Sequence, residues 1–155
     1  MVWKYRIRKI RNRDVPELVR LARAYWSFEK IPGFSPKRYQ HLIWKILKNP
    51  SLGRIWVATQ ENRVIGYLVV VFLMSLESGG LSSEIDELYV DRLARGRGAG
   101  KSLLKAAGKS LSKMGVAQVS LRVGKANRRA IRFYKNQGFR SLNGFFVMDR
   151  KARKA

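Results

Sequence analysis

At 155 residues, 46% of them hydrophobic and 11% aromatic, the chain fits one folded domain with a real core and lies outside the disordered class. With no cysteine and a single histidine, His41, it excludes a disulfide framework, a thiolate metal site, a cysteine nucleophile and most zinc or triad arrangements, so no metal is expected. The 33 Lys and Arg against 10 Asp and Glu leave a formal charge of +23, a background that favours anionic ligands. Because the basic residues are spread along the whole chain, with only a short closing cluster at Arg150, Lys151, Arg153 and Lys154, a nucleic-acid partner is the less favoured reading.

In chain order, Trp3, Tyr5, Ile7 and Ile10 sit among basic residues at near-alternating spacing, which predicts an edge strand. Asp14 is expected to cap a helix with Pro16 in its first turn and Glu17 at its positive end. Leu18, Leu21, Ala22, Tyr25 and Trp26 then fall on one face through about Glu29. Pro32 and Gly33 break the pattern, and a second helix starts at Ser35 and Pro36, carries Tyr39, Leu42, Ile43 and Ile46, and ends before Pro50. Residues 54–59 and 64–73 read as a hairpin of central strands joined at Glu61 and Asn62. Residues 76–83, with Gly79, Gly80 and three serines, read as a turn before a strand at 84–90. A helix through Leu103, Leu104, Ala107 and Leu111 stops at Gly115; a strand at 116–123, a helix at 127–136 and a last strand at 145–148 complete the chain. The longest apolar run, 65–74, is far short of the roughly 20 residues of a membrane helix. Residues 1–13 lack the features of a signal peptide, so the expected location is cytoplasmic, away from any membrane.

The strongest local signal is the junction at 88–104, where a strand runs into a loop with three glycines and then an apolar helix. Gly96, Gly98 and Gly100 let backbone N–H groups approach an oxyanion closely, and the helix that follows adds the positive end of its dipole. The interval before Gly100-Lys101-Ser102 is too short for a P-loop, and glycines two apart do not match the dinucleotide pattern.

The segment ELYVDRLARGRGAGKSLL at 87–104 resembles motif A of the GNAT acyltransferase superfamily, with Arg95, Gly98 and Gly100 in its core places. A second segment, NRRAIRFYKNQGF at 127–139, resembles motif B at the expected distance. The resemblance covers nearly the whole chain as a single domain, 1–155. It implies an α/β (α+β) GNAT fold: a mixed sheet of about six to seven strands flanked by about four helices. It further implies acetyl-CoA as co-substrate, its pyrophosphate held by amides from Arg95, Gly96, Arg97, Gly98, Ala99, Gly100 and Lys101. The pantetheine arm would pair with the backbone of Leu88, Tyr89 and Val90. Asn127 is the implied cofactor-arm contact, and Tyr134 the group that protonates the departing thiolate. Arg92 stands where the family often has proline.

Four of the ten acidic residues, Glu84, Asp86, Glu87 and Asp91, crowd one predicted strand, where acids are normally depleted. Either a carboxylate faces a cleft and takes the proton of a substrate ammonium, or these groups pair with the surplus of Lys and Arg. The resemblance to polyamine and aminoglycoside acetyltransferases implies Asp86 as the substrate-side carboxylate, with Glu87 second, and a bulge in the strand would decide which faces inward. Trp26, Phe28, Phe34, Tyr39 and Trp44 surround the break between the first two helices and are assigned no catalytic role; His41 reads as an ordinary helix-face residue. The leading reading is therefore acetyl transfer to a primary amine, of a small molecule or a peptide, by direct attack in a ternary complex. Acetylation of a protein N-terminus or lysine is the alternative, and a non-catalytic module binding CoA or nucleic acid is the alternative of another class. A homodimer is compatible with the family.

Overall fold

The structure, a computed structural model, describes residues 4–152. Trp3 of the predicted first strand and Arg153 and Lys154 of the closing basic cluster lie outside the described residues. The chain divides into two compact units, Met1–Arg122 and Val123–Ala155.

The first unit is a five-stranded sheet in the order β1-β2-β3-β4-β5, with β1 Arg6–Lys9, β2 Gly53–Gln60, β3 Arg63–Ser75, β4 Gly80–Val90 and β5 Gln118–Leu121. The first four strands pair antiparallel, and β5 joins β4 in parallel, so the sheet is mixed. β1 takes the edge its alternating pattern predicts. Helices α1, Val15–Phe28, and α2, Pro36–Lys48, precede β2, and α3, Ala99–Lys113, connects β4 to β5. This parallel crossover requires a connection long enough to hold a helix. The second unit holds α4, Arg128–Asn136.

The core is built in two layers. Val15, Leu18, Leu21 and Ala22 of α1 recur at helical spacing and are wholly buried with Tyr39 and Ile43 of α2 against Ile55, Val57, Tyr67 and Val69. Alternate residues of the same strands, Trp56, Ala58, Leu68 and Val70, point to the other face, where α3 packs with buried Leu103, Ala107 and Leu111. Each fully buried leucine contributes about 2 kcal/mol relative to exposure. The β2–β3 hairpin closes through Glu61 and Asn62, at φ 47° and 65°, which suits the right-handed twist of the strands. Ser35 caps α2 by accepting the Arg38 N–H at 3.3 Å, with Pro36 in the first turn.

The structure corrects three expectations. Asp14 does not cap α1 through its side chain; its backbone is already helical, at φ −83° and ψ −15°. Its carboxylate instead accepts the Arg11 N–H at 2.7 Å and the Arg8 guanidinium at 2.6 and 2.9 Å. The predicted turn at 76–83 shrinks to 76–79, because β3 extends to Ser75 and gives Gly80, Leu81, Ser82 and Ser83 ladder partners. Pairing overrides the low strand preference of Gly and Ser. Finally, no strand forms at 145–148 among the described residues: Phe145, Phe146, Val147 and Met148 are exposed. A strand needs a ladder partner as well as β-favouring side chains, so the sheet has five strands rather than six to seven.

Candidate active site

β4 delivers its C-terminal end into a loop that rebuilds the chain direction within a few residues. Asp91 donates its N–H to Ile65 at 2.8 Å, the last bond joining β4 to its neighbour. Its side chain accepts the Leu93 N–H at 3.3 Å and faces Arg20 at 3.6 Å. A short 3-10 turn, Arg92–Ala94, follows. Arg95 then folds back: its Nε donates to the Val90 carbonyl at 2.9 Å, and its guanidinium lies 5.1 Å from both the Phe28 and Tyr89 ring centres. Contacts of this kind are worth about 1 kcal/mol when partly shielded from water.

Gly98, at φ +84°, holds the N-cap of α3 in the left-handed region, which a residue with a Cβ enters only under strain. Ser102 makes the first helical bond, to the Gly98 carbonyl at 2.9 Å, so the N–H groups of Ala99, Gly100 and Lys101 have no partner further back in the helix. That is the geometry of an anion cradle, reinforced by the helix dipole. Tyr5 braces it from the first strand's approach: its hydroxyl lies 3.0 Å from Ser102 Oγ, and a Cβ added at Gly98 would stand 3.2 Å from it.

The acidic strand carries a bulge. Ile85 pairs with Val70, while Glu87 pairs with the next residue along, Val69, leaving Asp86 as the extra residue. Cross-strand partners share a face, so Ile85 joins Val70 on the α3 side and Glu87 joins Val69 on the side of α1 and α2. Without the inserted residue Glu87 would share the face of Ile85. The ladder to β5 ends at Ile85↔Leu121, so β4 runs on past β5 from Asp86 to Val90.

The bulge separates two carboxylates by environment. Glu87 is buried, and each of its oxygens is engaged: Oε1 accepts Trp26 Nε1 at 2.8 Å, and Oε2 accepts the hydroxyls of Tyr39 at 2.5 Å and Tyr67 at 2.7 Å. Desolvation raises its pKa, outweighing the three hydrogen bonds that lower it, and the charge of Asp86 adds to the rise. Burial, then neighbouring charges and hydrogen bonds, push both tyrosines well above their ordinary range, so they remain donors. Asp86, by contrast, is exposed. Its pKa is also raised, by partial desolvation and then by Glu84, with Arg122 opposing. Glu84 itself is paired with Arg122 at 3.0 Å.

In the second unit, Asn127 caps α4, its side-chain oxygen accepting the Ala130 N–H at 3.0 Å. Tyr134 is half-buried between Phe133 and Phe139, with ring centres at 5.2 and 5.6 Å. Three partners in the first unit escaped the sequence reading. Tyr67 was visible only as the one hydroxyl inside the apolar run 65–74, and Tyr5 and Ser102 are 97 positions apart. Trp26, Phe34 and Tyr39 form a mutually packed aromatic cluster, with ring centres 5.3 to 6.4 Å apart, above Glu87. His41 is exposed on α2.

A β-strand with this bulge, leading into a glycine-rich anion cradle at a helix N-terminus, is the frame of one acyltransferase fold. The family model for the acetyltransferase (GNAT) family matches residues 15–139, and the chain belongs to that family as an acetyltransferase domain. It is 29% identical over 142 residues to an uncharacterized N-acetyltransferase of Methanocaldococcus jannaschii, covering 90% of this chain and 62% of that protein. The chain thus spans less than two thirds of that relative. It is 26% identical over 151 residues to the thialysine N-epsilon-acetyltransferase of Mus musculus, covering 88% of this chain and 85% of the relative. Among solved structures it matches an integron cassette protein from the Cole Harbour Salt Marsh metagenome, with a TM-score of 0.83 at 25% identity, covering 96% and 91% of the two chains. It also shares its fold with a predicted acetyltransferase from Clostridium acetobutylicum solved with acetyl-CoA, with a TM-score of 0.78 at 20% identity, covering 94% and 96%. Among the described residues no helix is long and apolar enough to cross a membrane.

Proposed function

We propose that the chain acts as a single N-acetyltransferase domain that moves an acetyl group from acetyl-CoA to a small aliphatic primary amine by direct attack in a ternary complex. The observation that carries this reading is the end of β4: a solvent-facing carboxylate at a bulge, backbone running past β5, and then the N–H groups that open α3. The amides of residues 96–101 bind the pyrophosphate of CoA, the arm of the cofactor lies along Leu88, Tyr89 and Val90, and Asn127 holds it further on. Because the Arg95 N–H is already directed at the Arg92 carbonyl at 3.4 Å, Arg95 serves chiefly through its side chain, which fixes Val90 and Tyr89.

Asp86 takes a proton from the acceptor ammonium, directly or through water. The raised pKa improves its match to that task. The free amine attacks the thioester carbon, the carbon–sulfur bond breaks, Tyr134 protonates the leaving thiolate, and the surplus proton of the new amide nitrogen restores the phenol through water. Glu87 acts from below by holding Trp26, Tyr39 and Tyr67 as the wall against which the acceptor packs. The likeness to a thialysine acetyltransferase supports an ε-type amine on a short carbon chain.

Release of free thiol from acetyl-CoA, screened against thialysine, lysine, polyamines, aminoglycosides and N-terminal peptides, tests the reading. Turnover is expected with the short aliphatic amines. Asp86→Asn should lower kcat/KM about 100-fold or more, and Tyr134→Phe should lower kcat with acetyl-CoA affinity unchanged. Turnover with peptides alone, or full activity in both variants, would overturn the acceptor class or the assigned roles.

A further inference from the structure

α3 carries lysines at 101, 105, 109 and 113, and all four are exposed. Each step is four residues, about 6 Å along the axis, so the row runs for roughly 18 Å as one ridge. A second ridge two residues out of step, Ala99, Leu103, Ala107 and Leu111, is the buried face, which fixes the lysines on the outside. Nothing stands within 4 Å of a Cβ built at Gly108, so the surface beside the ridge is low and open.

This arrangement works against the helix that bears it. α3 contains no acidic residue, so its three i,i+4 lysine pairs repel, and Lys101 sits in the first turn, where the helix dipole disfavours a cation. Ion pairs among the described residues include Arg8–Asp14, Arg20–Glu17, Arg20–Asp91 and Arg122–Glu84, and none of these four involves α3. Three of the four cations of α2 have local work: Arg38 donates to the Gly33 carbonyl at 2.7 Å, and Lys45 and Lys48 lie in the last turn, where the dipole welcomes them. In the α3 row only Lys113, in the last turn, has that support; Lys101, Lys105 and Lys109 do not.

We propose that the exposed lysine ridge of α3 is a docking surface for the phosphodiester backbone of a nucleic acid. A duplex carries one charge per roughly 1.7 Å of axis with both strands counted, so an 18 Å length holds about ten phosphates, and those on the facing side meet a row of regularly spaced ammonium groups. A lipid surface is the poorer match, because helices that bind membranes insert their apolar face, and that of α3 is committed to the core. This surface is additional to the acetyl-transfer site, which it meets only at Lys101.

The test is fluorescence anisotropy of the full chain with RNA and DNA duplexes of about 20 base pairs across a salt series, without acetyl-CoA. The triple variant Lys105→Gln, Lys109→Gln, Lys113→Gln, which leaves the cofactor loop intact, should bind at least tenfold more weakly at low salt. Its slope of log affinity against log salt should be shallower by about 2.7, the value for three lost phosphate contacts. A charge-matched triple on α2, Lys37→Gln, Lys45→Gln, Lys48→Gln, should shift the slope by less than about one. Equal losses in the two triples would show that only overall charge matters. That result, no binding to either duplex, or stronger binding to phosphatidylserine vesicles than to both, would overturn the proposal. Because no acetyl transfer is read, the outcome is independent of the proposed reaction.

Discussion

Asp14 and Glu87 are both closed off from water, at 3% and 7% exposure, yet their pKa values move in opposite directions. In each case desolvation is the largest influence and pushes the value up. At Asp14 it is overcome by the Arg8 hydrogen bonds, the Arg11 N–H and the charges of Arg8 and Arg13, and the value falls. At Glu87 the partners are two phenols and an indole, which carry no charge, and desolvation prevails. A neighbouring cation marks a carboxylate that ties the chain together; neutral donors alone mark one that orders aromatic rings at the candidate site.

The largest effect expected is at the paired acid. Asp14→Ala leaves Arg8 beside a buried, emptied position and should cost about 3 kcal/mol in urea unfolding, with kcat hardly altered. Glu87→Gln should cost less, about 2 kcal/mol, since the amide keeps one acceptor but sets its NH2 against a donor. It should also raise KM for the amine while leaving KM for acetyl-CoA unchanged. If Glu87→Gln instead raised KM for acetyl-CoA, the division between acceptor wall and cofactor loop would be wrong.

The two acids also predict opposite pH dependences. The stability contributed by Asp14, whose folded pKa is lowered, is present above its ordinary value near 3.8 and lost as pH falls through the folded value. Glu87 has a raised folded pKa, so its contribution is complete below about 4.5 and lost as pH rises through the folded value. The deficit of Asp14→Asn should therefore fade on acidification, and that of Glu87→Gln should fade on going from acid toward neutral pH. Denaturant midpoints at several pH values check both, and parallel trends would break the comparison. Smallest in stability is Gly98→Ala, about 1 to 2 kcal/mol for the left-handed backbone, yet it alone of these variants should raise KM for acetyl-CoA.

How much of this was legible in the chain follows from the range over which each signal acts. The helix faces of α1, α2 and α3, the Glu61–Asn62 hairpin and the cradle at Gly98 are set by neighbours within a few residues, and periodicity or glycine spacing exposes them. The start of β4 was misplaced because Gly80 to Ser83 become strand only when β3 lies beside them. The predicted last strand was misplaced for the converse reason, β-favouring residues at 145–148 with no ladder to join.

At the site itself, residue types and their spacing disclose the chemistry on offer: no thiol, one histidine, a crowd of carboxylates on one strand and an anion cradle directly after it. The resemblance ranks Asp86 ahead of Glu87 but leaves open which of them faces inward. Strand pairing divides the two, because a bulge is a mismatch between two strands and has no meaning in either alone. One inserted residue turned Glu87 toward Trp26, Tyr39 and Tyr67, from three different elements, and left Asp86 facing solvent. Side-chain type is written locally, whereas the water, charge and donors around it are gathered from across the fold, and those set what a carboxylate can do.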